Sequence, residues 1–139
     1  MDKRIEQLFA DYGKSFSALA LQDTAKLYAD DFIAAGPKGI ISKKRQEYLD
    51  NAAEAAEFYR SVGQKSAQVL DMKETWFGTD YVMVTIHWGV TFESVEKPVE
   101  FDVSYLVQLT DETPRIILFI SHEDEEELMQ ELGLVKEDG

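Results

Sequence analysis

Tyr81-Val82-Met83-Val84-Thr85-Ile86-His87-Trp88-Gly89-Val90-Thr91-Phe92 alternates strictly between two faces. One face is Val82, Val84, Ile86, Trp88, Val90 and Phe92; the other is Tyr81, Met83, Thr85, His87, Gly89 and Thr91. Successive side chains point to opposite sides of a strand, so this period predicts a strand with its all-apolar face on a core. Before it, Gly78-Thr79-Asp80 has turn chemistry, and residues 66–77, carrying Val69, Trp76 and Phe77, predict the partner strand of a hairpin. After it comes a loop around Val95–Pro98. Phe101, Val103, Tyr105, Val107 and Leu109 then alternate with Asp102, Ser104, Leu106 and Gln108. A Thr110–Pro114 turn leads to a final strand, Arg115–Ser121. Short connections between consecutive strands favour an antiparallel meander.

The period is helical toward the N-terminus. From Asp2 to about Leu21, Ile5, Leu8, Phe9, Tyr12, Phe16, Leu19 and Ala20 recur every three or four residues and form one stripe of a first helix. Gln22-Asp23-Thr24 supplies a break, and Ala25, Leu27, Tyr28 and Phe32 predict a short second helix ending near Asp31. Gly36-Pro37-Lys38-Gly39 is a turn. Ser42 is placed to cap a third helix, Lys43 to about Val62, with Tyr48, Leu49, Ala52, Ala55, Ala56 and Tyr59 on its apolar stripe. At the other end, Ser121-His122-Glu123-Asp124 has capping-box spacing, and Gly133 is a C-cap for a last helix running through Leu132. Helices first and strands afterwards imply an α+β domain, with the N-terminal helices covering one face of a strongly curved antiparallel sheet and a C-terminal helix closing the order. The open end of such a wrap is a natural pocket.

Length and composition set the bounds. The 139 residues fit a single domain, 1–139, and 45% hydrophobic with 29% charged residues is an ordinary globular composition. Twenty-seven acidic against fourteen basic side chains leave a net charge of −13, which disfavours nucleic acid and anionic membrane surfaces as partners. The absence of cysteine excludes disulfides, thiolate metal sites and a cysteine nucleophile. Met1-Asp2-Lys3-Arg4 is followed by Ile5-Glu6-Gln7, not by an apolar leader, so a cytoplasmic location is expected.

Tyr12 in the first helix, the segment Leu27-Tyr28-Ala29-Asp30-Asp31-Phe32, and Tyr105-Leu106-Val107 followed by a turn and Arg115-Ile116 resemble the nuclear-transport-factor-2-like (NTF2-like) superfamily. That superfamily includes ketosteroid isomerases and SnoaL-type polyketide cyclases. The resemblance implies a cone of helices and curved sheet, and a homodimer through the sheet, whose outer face is expected to carry Tyr81, Met83 and Phe119. It places Tyr12 where the isomerases keep an oxyanion-stabilising tyrosine, and Tyr105 near their second cavity carboxyl. Their proton-abstracting aspartate falls on Gly36, which has no side-chain acceptor. A stand-in base would have to be a carboxylate such as Asp31 or Asp102, or His122 at the cone mouth.

The ligand-lining candidates are Tyr12, Phe16, Phe32, Tyr48, Trp88 and Tyr105, aromatic residues on inward stripes whose hydroxyl and indole groups need partners when buried. His87 lies on the outward strand face and His122 at the start of the last helix; neither has metal-ligand spacing, and no metal or cofactor is expected. The acidic run Glu123–Glu127 suits a solvated helix N-terminus. Three functions fit these residues. The first is a binding module for a small apolar or aromatic molecule. The second is an isomerase, cyclase or dehydratase with a non-standard base. The third is an interaction protein whose cone is filled by its own side chains.

Overall fold

The alternating segment becomes strand β4 (Tyr81–Phe92), flanked by β3 (Gln64–Phe77) and β5 (Val95–Gln108) in a computed structural model that describes residues 2–110 and 112–134. Val82, Val84 and Ile86 are fully buried, while their neighbours on the other face stay partly exposed. Sequestering each such side chain stabilises the fold by about 1.5–3 kcal/mol, which fixes the register of the sheet. β6 (Arg115–Ser121) pairs with β5, as the meander requires.

Two further strands complete the sheet, and neither was expected. Tyr28–Gly36 is strand β1 and Gly39–Lys44 is strand β2, a hairpin about the Gly36–Gly39 turn. The strand order is β2-β1-β6-β5-β4-β3, and β1 runs parallel to β6, so the sheet is mixed and not purely antiparallel. The segment read as a second helix is therefore mostly strand; only Leu21–Ala25 is helical, as α2. Tyr28 and Phe32 lie four residues apart, a spacing that shares a face in a strand as well as in a helix. Pairing with β6 decides between the two.

Helix α1 spans Lys3–Ser17, with the Asp2 carboxylate accepting from the Arg4 amide at its start. It ends four residues before the expected Leu21. The Ser17 hydroxyl donates to the Ala67 carbonyl and accepts from the Ala67 amide, both at 2.8 Å, which ties the helix end to β3. Leu19 then takes a left-handed conformation, φ 55°, that buries its side chain with Leu21, Ala52 and Ala56. Helix α3 covers Arg45–Ser61 and is preceded by Lys44; Ser42 sits in β2 and caps nothing. The expected loop at Val95–Pro98 is already strand. Helix α4 covers Glu125–Glu131, with Asp124 accepting from the Glu127 amide and Gly133 at φ 74° beyond its end.

Helices α1 and α3 pack on the apolar face of the sheet, and α2 packs against those two helices. Bulges interrupt the register in β1, β3, β4 and β5, and each adds local twist and bend. The result is a cone: a curved sheet wrapped around α1, with α3 and α4 at its wide end. Among the described residues, no helix is long and apolar enough to cross a membrane.

Candidate functional site

Inside the cone lies a cavity of about 330 Å³ bounded by α1, α3, the inner face of the sheet and the first residue of α4. Tyr12 and Phe16 reach it from α1, Tyr48 and Tyr59 from α3, Trp88 from β4, and Phe101 and Tyr105 from β5. Five of the six sequence candidates, Tyr12, Phe16, Tyr48, Trp88 and Tyr105, thus converge on one space. Phe32 does not line it. It is 2% exposed and stacks behind the wall against Tyr28, Tyr48 and Phe119.

Four polar groups of this wall form two pairs. The Tyr12 and Tyr28 hydroxyls share a hydrogen bond of 2.7 Å, and the Trp88 indole N–H donates to the Tyr105 hydroxyl oxygen at 2.9 Å. The Tyr12 ring stands 5.4 Å from both Trp88 and Tyr105, so the two pairs are neighbours. Burial pushes the Tyr12, Tyr28 and Tyr105 hydroxyls well above the ordinary phenol range. They remain protonated at any physiological pH and act as neutral donors or acceptors.

Phe119 was expected on the outer face and is found on the inner one. It packs on Tyr28 and Tyr105 and lines the cavity, because Phe119 pairs with Tyr105 across β5 and β6 and directly opposed residues share a face. The three stand-in bases are also placed outside. Asp31 is exposed and ion-paired with Lys44 at 3.0 Å. Asp102 accepts from His87 on the outer sheet face, 2.8 Å away, and His122 bonds the Ser104 hydroxyl at 2.7 Å on that same face. His87 also meets Glu100 at 2.8 Å, and these carboxylates, Glu100 foremost, raise its pKa. Asp124, and not Ser121 at the head of the expected capping box, caps the last helix.

The half-buried carboxylate that borders the cavity is Glu125, at the first turn of α4, beside Phe119 and Ser121. Burial raises its pKa to about 6, with the Ser121 hydroxyl working in the opposite sense and the negative charges of Asp124 and Glu123 adding to the rise. Nothing in the sequence set Glu125 apart, since acidic residues are common at the N-terminus of any helix. Tyr28, Tyr59, Phe101 and Phe119 belong to the wall as well. Lys43, Glu47 and Asn51 form an exposed polar rim. Among the described residues, no group of three or more histidine or acidic side chains is placed to hold a metal ion.

Helices laid on the concave face of a bulged, curved sheet, enclosing an aromatic cavity at the wide end, define the α+β cone class known as NTF2-like or cystatin-like. Residues 2–124 match the family model described as NTF2-like protein (DUF6841), and the chain belongs to that family. An NTF2-like protein of unknown function from Shewanella oneidensis MR-1 is similar over 86% of this chain and 97% of its own, with a TM-score of 0.71 and 14% identity. A function-unknown protein from Mycobacterium tuberculosis superposes with a TM-score of 0.69 at 17% identity, covering 87% of this chain and 70% of that one. The beta subunit of benzoate 1,2-dioxygenase from Burkholderia mallei ATCC 23344 does so at 0.69 and 14% identity, over 89% and 91% of the two chains. At such identities the likeness is one of fold. Comparison with curated proteins finds no match.

Proposed function

We propose that this protein is a small-molecule-binding domain whose ligand is an apolar or aromatic compound held inside the cone. The observation that carries the proposal is the cavity of about 330 Å³, walled by aromatic rings and supplied with a few oriented polar groups. That combination is the usual composition of small-molecule sites, in which apolar walls provide affinity and sparse polar groups provide orientation. The test is thermal-shift screening of steroids, polyketides and aromatic compounds. A ligand that binds only the folded state raises Tm in proportion to the logarithm of its concentration. Failure of every class, with a crystal structure whose cone is filled by side chains, would establish the interaction-protein alternative instead.

Glu125 favours a second reading, that of an isomerase, cyclase or dehydratase. Gly36 cannot take a proton, but a carboxyl with pKa about 6 bordering the same cavity has the basicity of a general acid or base near neutral pH. Turnover of a bound compound that is lost in Glu125→Gln supports it, and unchanged turnover in that variant refutes it. As for assembly, we propose a homodimer through the outer sheet face. Met83, Leu106 and Leu118 are partly exposed there and Ile120 is 41% exposed, more apolar surface than solvent contact requires. A monomer by light scattering at micromolar concentration would overturn the dimer.

A further inference from the structure

The cavity wall is largely aromatic, and its one half-buried carboxylate is that of Glu125. Its other charged residues, Lys43 and Glu47, stand on the exposed rim and offset each other. Lys38, which reaches this corner of the fold from the β1–β2 turn, is taken by Asp124 at 3.1 Å and Glu126 at 3.7 Å. Among the described residues no lysine, arginine or histidine forms an ion pair with Glu125. A half-buried carboxylate without a counter-ion destabilises its surroundings unless a positive charge arrives from elsewhere.

Ring faces are electronegative and attract cations, most strongly where water is excluded. Tyr59, Trp88 and Phe119 supply such faces to the space that Glu125 borders. The net charge of −13 acts in the same sense at longer range, concentrating cations and repelling anions. An anionic ligand would meet Glu125 with, among the described residues, only the exposed Lys43 as a cation on the cavity lining. A neutral ligand would leave the carboxylate as it stands. We propose that the cavity selects an organic cation, an ammonium group on an aromatic or alicyclic body, with the body against Tyr12, Trp88 and Tyr105 and the ammonium at the Glu125 carboxylate. This rests on the small-molecule reading of the cavity and adds the charge class of the ligand.

Three probes of one shape separate the possibilities: naphthalene-2-methylammonium, naphthalene-2-methanol and naphthalene-2-carboxylate, titrated calorimetrically into the whole chain at pH 7.5. The ammonium is expected to bind about tenfold tighter than the alcohol, with the carboxylate weakest. Glu125→Gln is expected to bring the ammonium-to-alcohol ratio below about threefold, because it removes the charge and keeps the shape. The wild-type ratio should also fall as pH drops from 7.5 to 5, through the carboxyl's pKa of about 6. The groups around it in that window are Asp124, Glu123 and Glu126 beside it, Lys38 on the β1–β2 turn, Ser121 on β6, Tyr12 on α1, Tyr105 on β5, Tyr59 and Glu47 on α3, and Lys43. The Asp124 pKa is lowered, by the Glu127 amide and by Lys38, the Lys38 pKa is raised, and the Tyr59 pKa is pushed up to about 12, so all three keep their charge state across it. Equal binding of alcohol and ammonium overturns the cation inference and leaves the pocket reading standing. No binding by any of the three overturns both.

Discussion

The Tyr12–Tyr28 hydroxyl pair tests whether the polar groups of the cavity wall are satisfied by the protein itself. The oxygens are 2.7 Å apart, and the two residues are 8% and 1% exposed. Tyr28→Phe or Tyr12→Phe removes one shared hydrogen bond and strands the other hydroxyl, at a cost of about 1–2 kcal/mol for each variant. Replacing both oxygens strands neither, so the double variant should cost little more than a single one, leaving a coupling energy of about 1 kcal/mol. Urea denaturation followed by far-UV circular dichroism measures all four corners of the cycle. In thermal melts each single change corresponds to a fall of about 3–7 °C. Additivity within about 0.3 kcal/mol would refute the reasoning, because it would mean that each hydroxyl is satisfied independently by water.

Three other perturbations follow from the same coordinates. Because folding raises the Glu125 carboxyl above its unfolded value of 4.5 to about 6, the folded state binds more protons between those limits; stability therefore falls as pH rises through that window, by up to about 2 kcal/mol. Glu125→Gln should flatten that part of the profile and melt higher than wild type at pH 7.5, whereas parallel profiles would contradict the burial of this carboxyl. Asp124→Ala loses both the cap to the Glu127 amide and the Lys38 ion pair, so hydrogen exchange should accelerate across 125–131 with little change in global stability; unchanged exchange would show that the cap is idle. Gly13→Ala places a methyl 3.5 Å from the Ala67 carbonyl oxygen and 3.6 Å from the Trp88 ring, ordinary contact distances within α1, so it should stabilise by about 0.5–1 kcal/mol, and a lowered Tm would show that the helix cannot accept the group.

Much of the site is legible in the residues because burial and periodicity are local signals. Tyr12 and Phe16 belong to one stripe of α1, Tyr48 to the stripe of α3, and Trp88 and Tyr105 to inward faces of strands whose alternation leaves one choice of register. Phe32 carries the same signal, but burial alone does not distinguish a cavity wall from the layer behind it. Phe119 sits in Ile116-Ile117-Leu118-Phe119-Ile120, where apolar residues on both faces erase the alternation, and a register shift between Leu106 and Val107 changes which of them points inward.

The sequence by itself determined the first and third helices, the buried face of β4, the hairpin turn at Gly78–Asp80, a turn at Gly36–Gly39 and the cap at Gly133, all set by interactions between residues close in the chain. Tertiary structure decided that Tyr28–Gly36 is strand, because a four-residue spacing satisfies both periods and only pairing with β6, more than eighty residues away, separates them. It likewise decided which carboxylate serves the cavity. Asp31, Asp102 and Glu125 are chemically alike, and their difference lies in what the folded chain sets beside each one: a lysine, a histidine, or the aromatic wall of the cone.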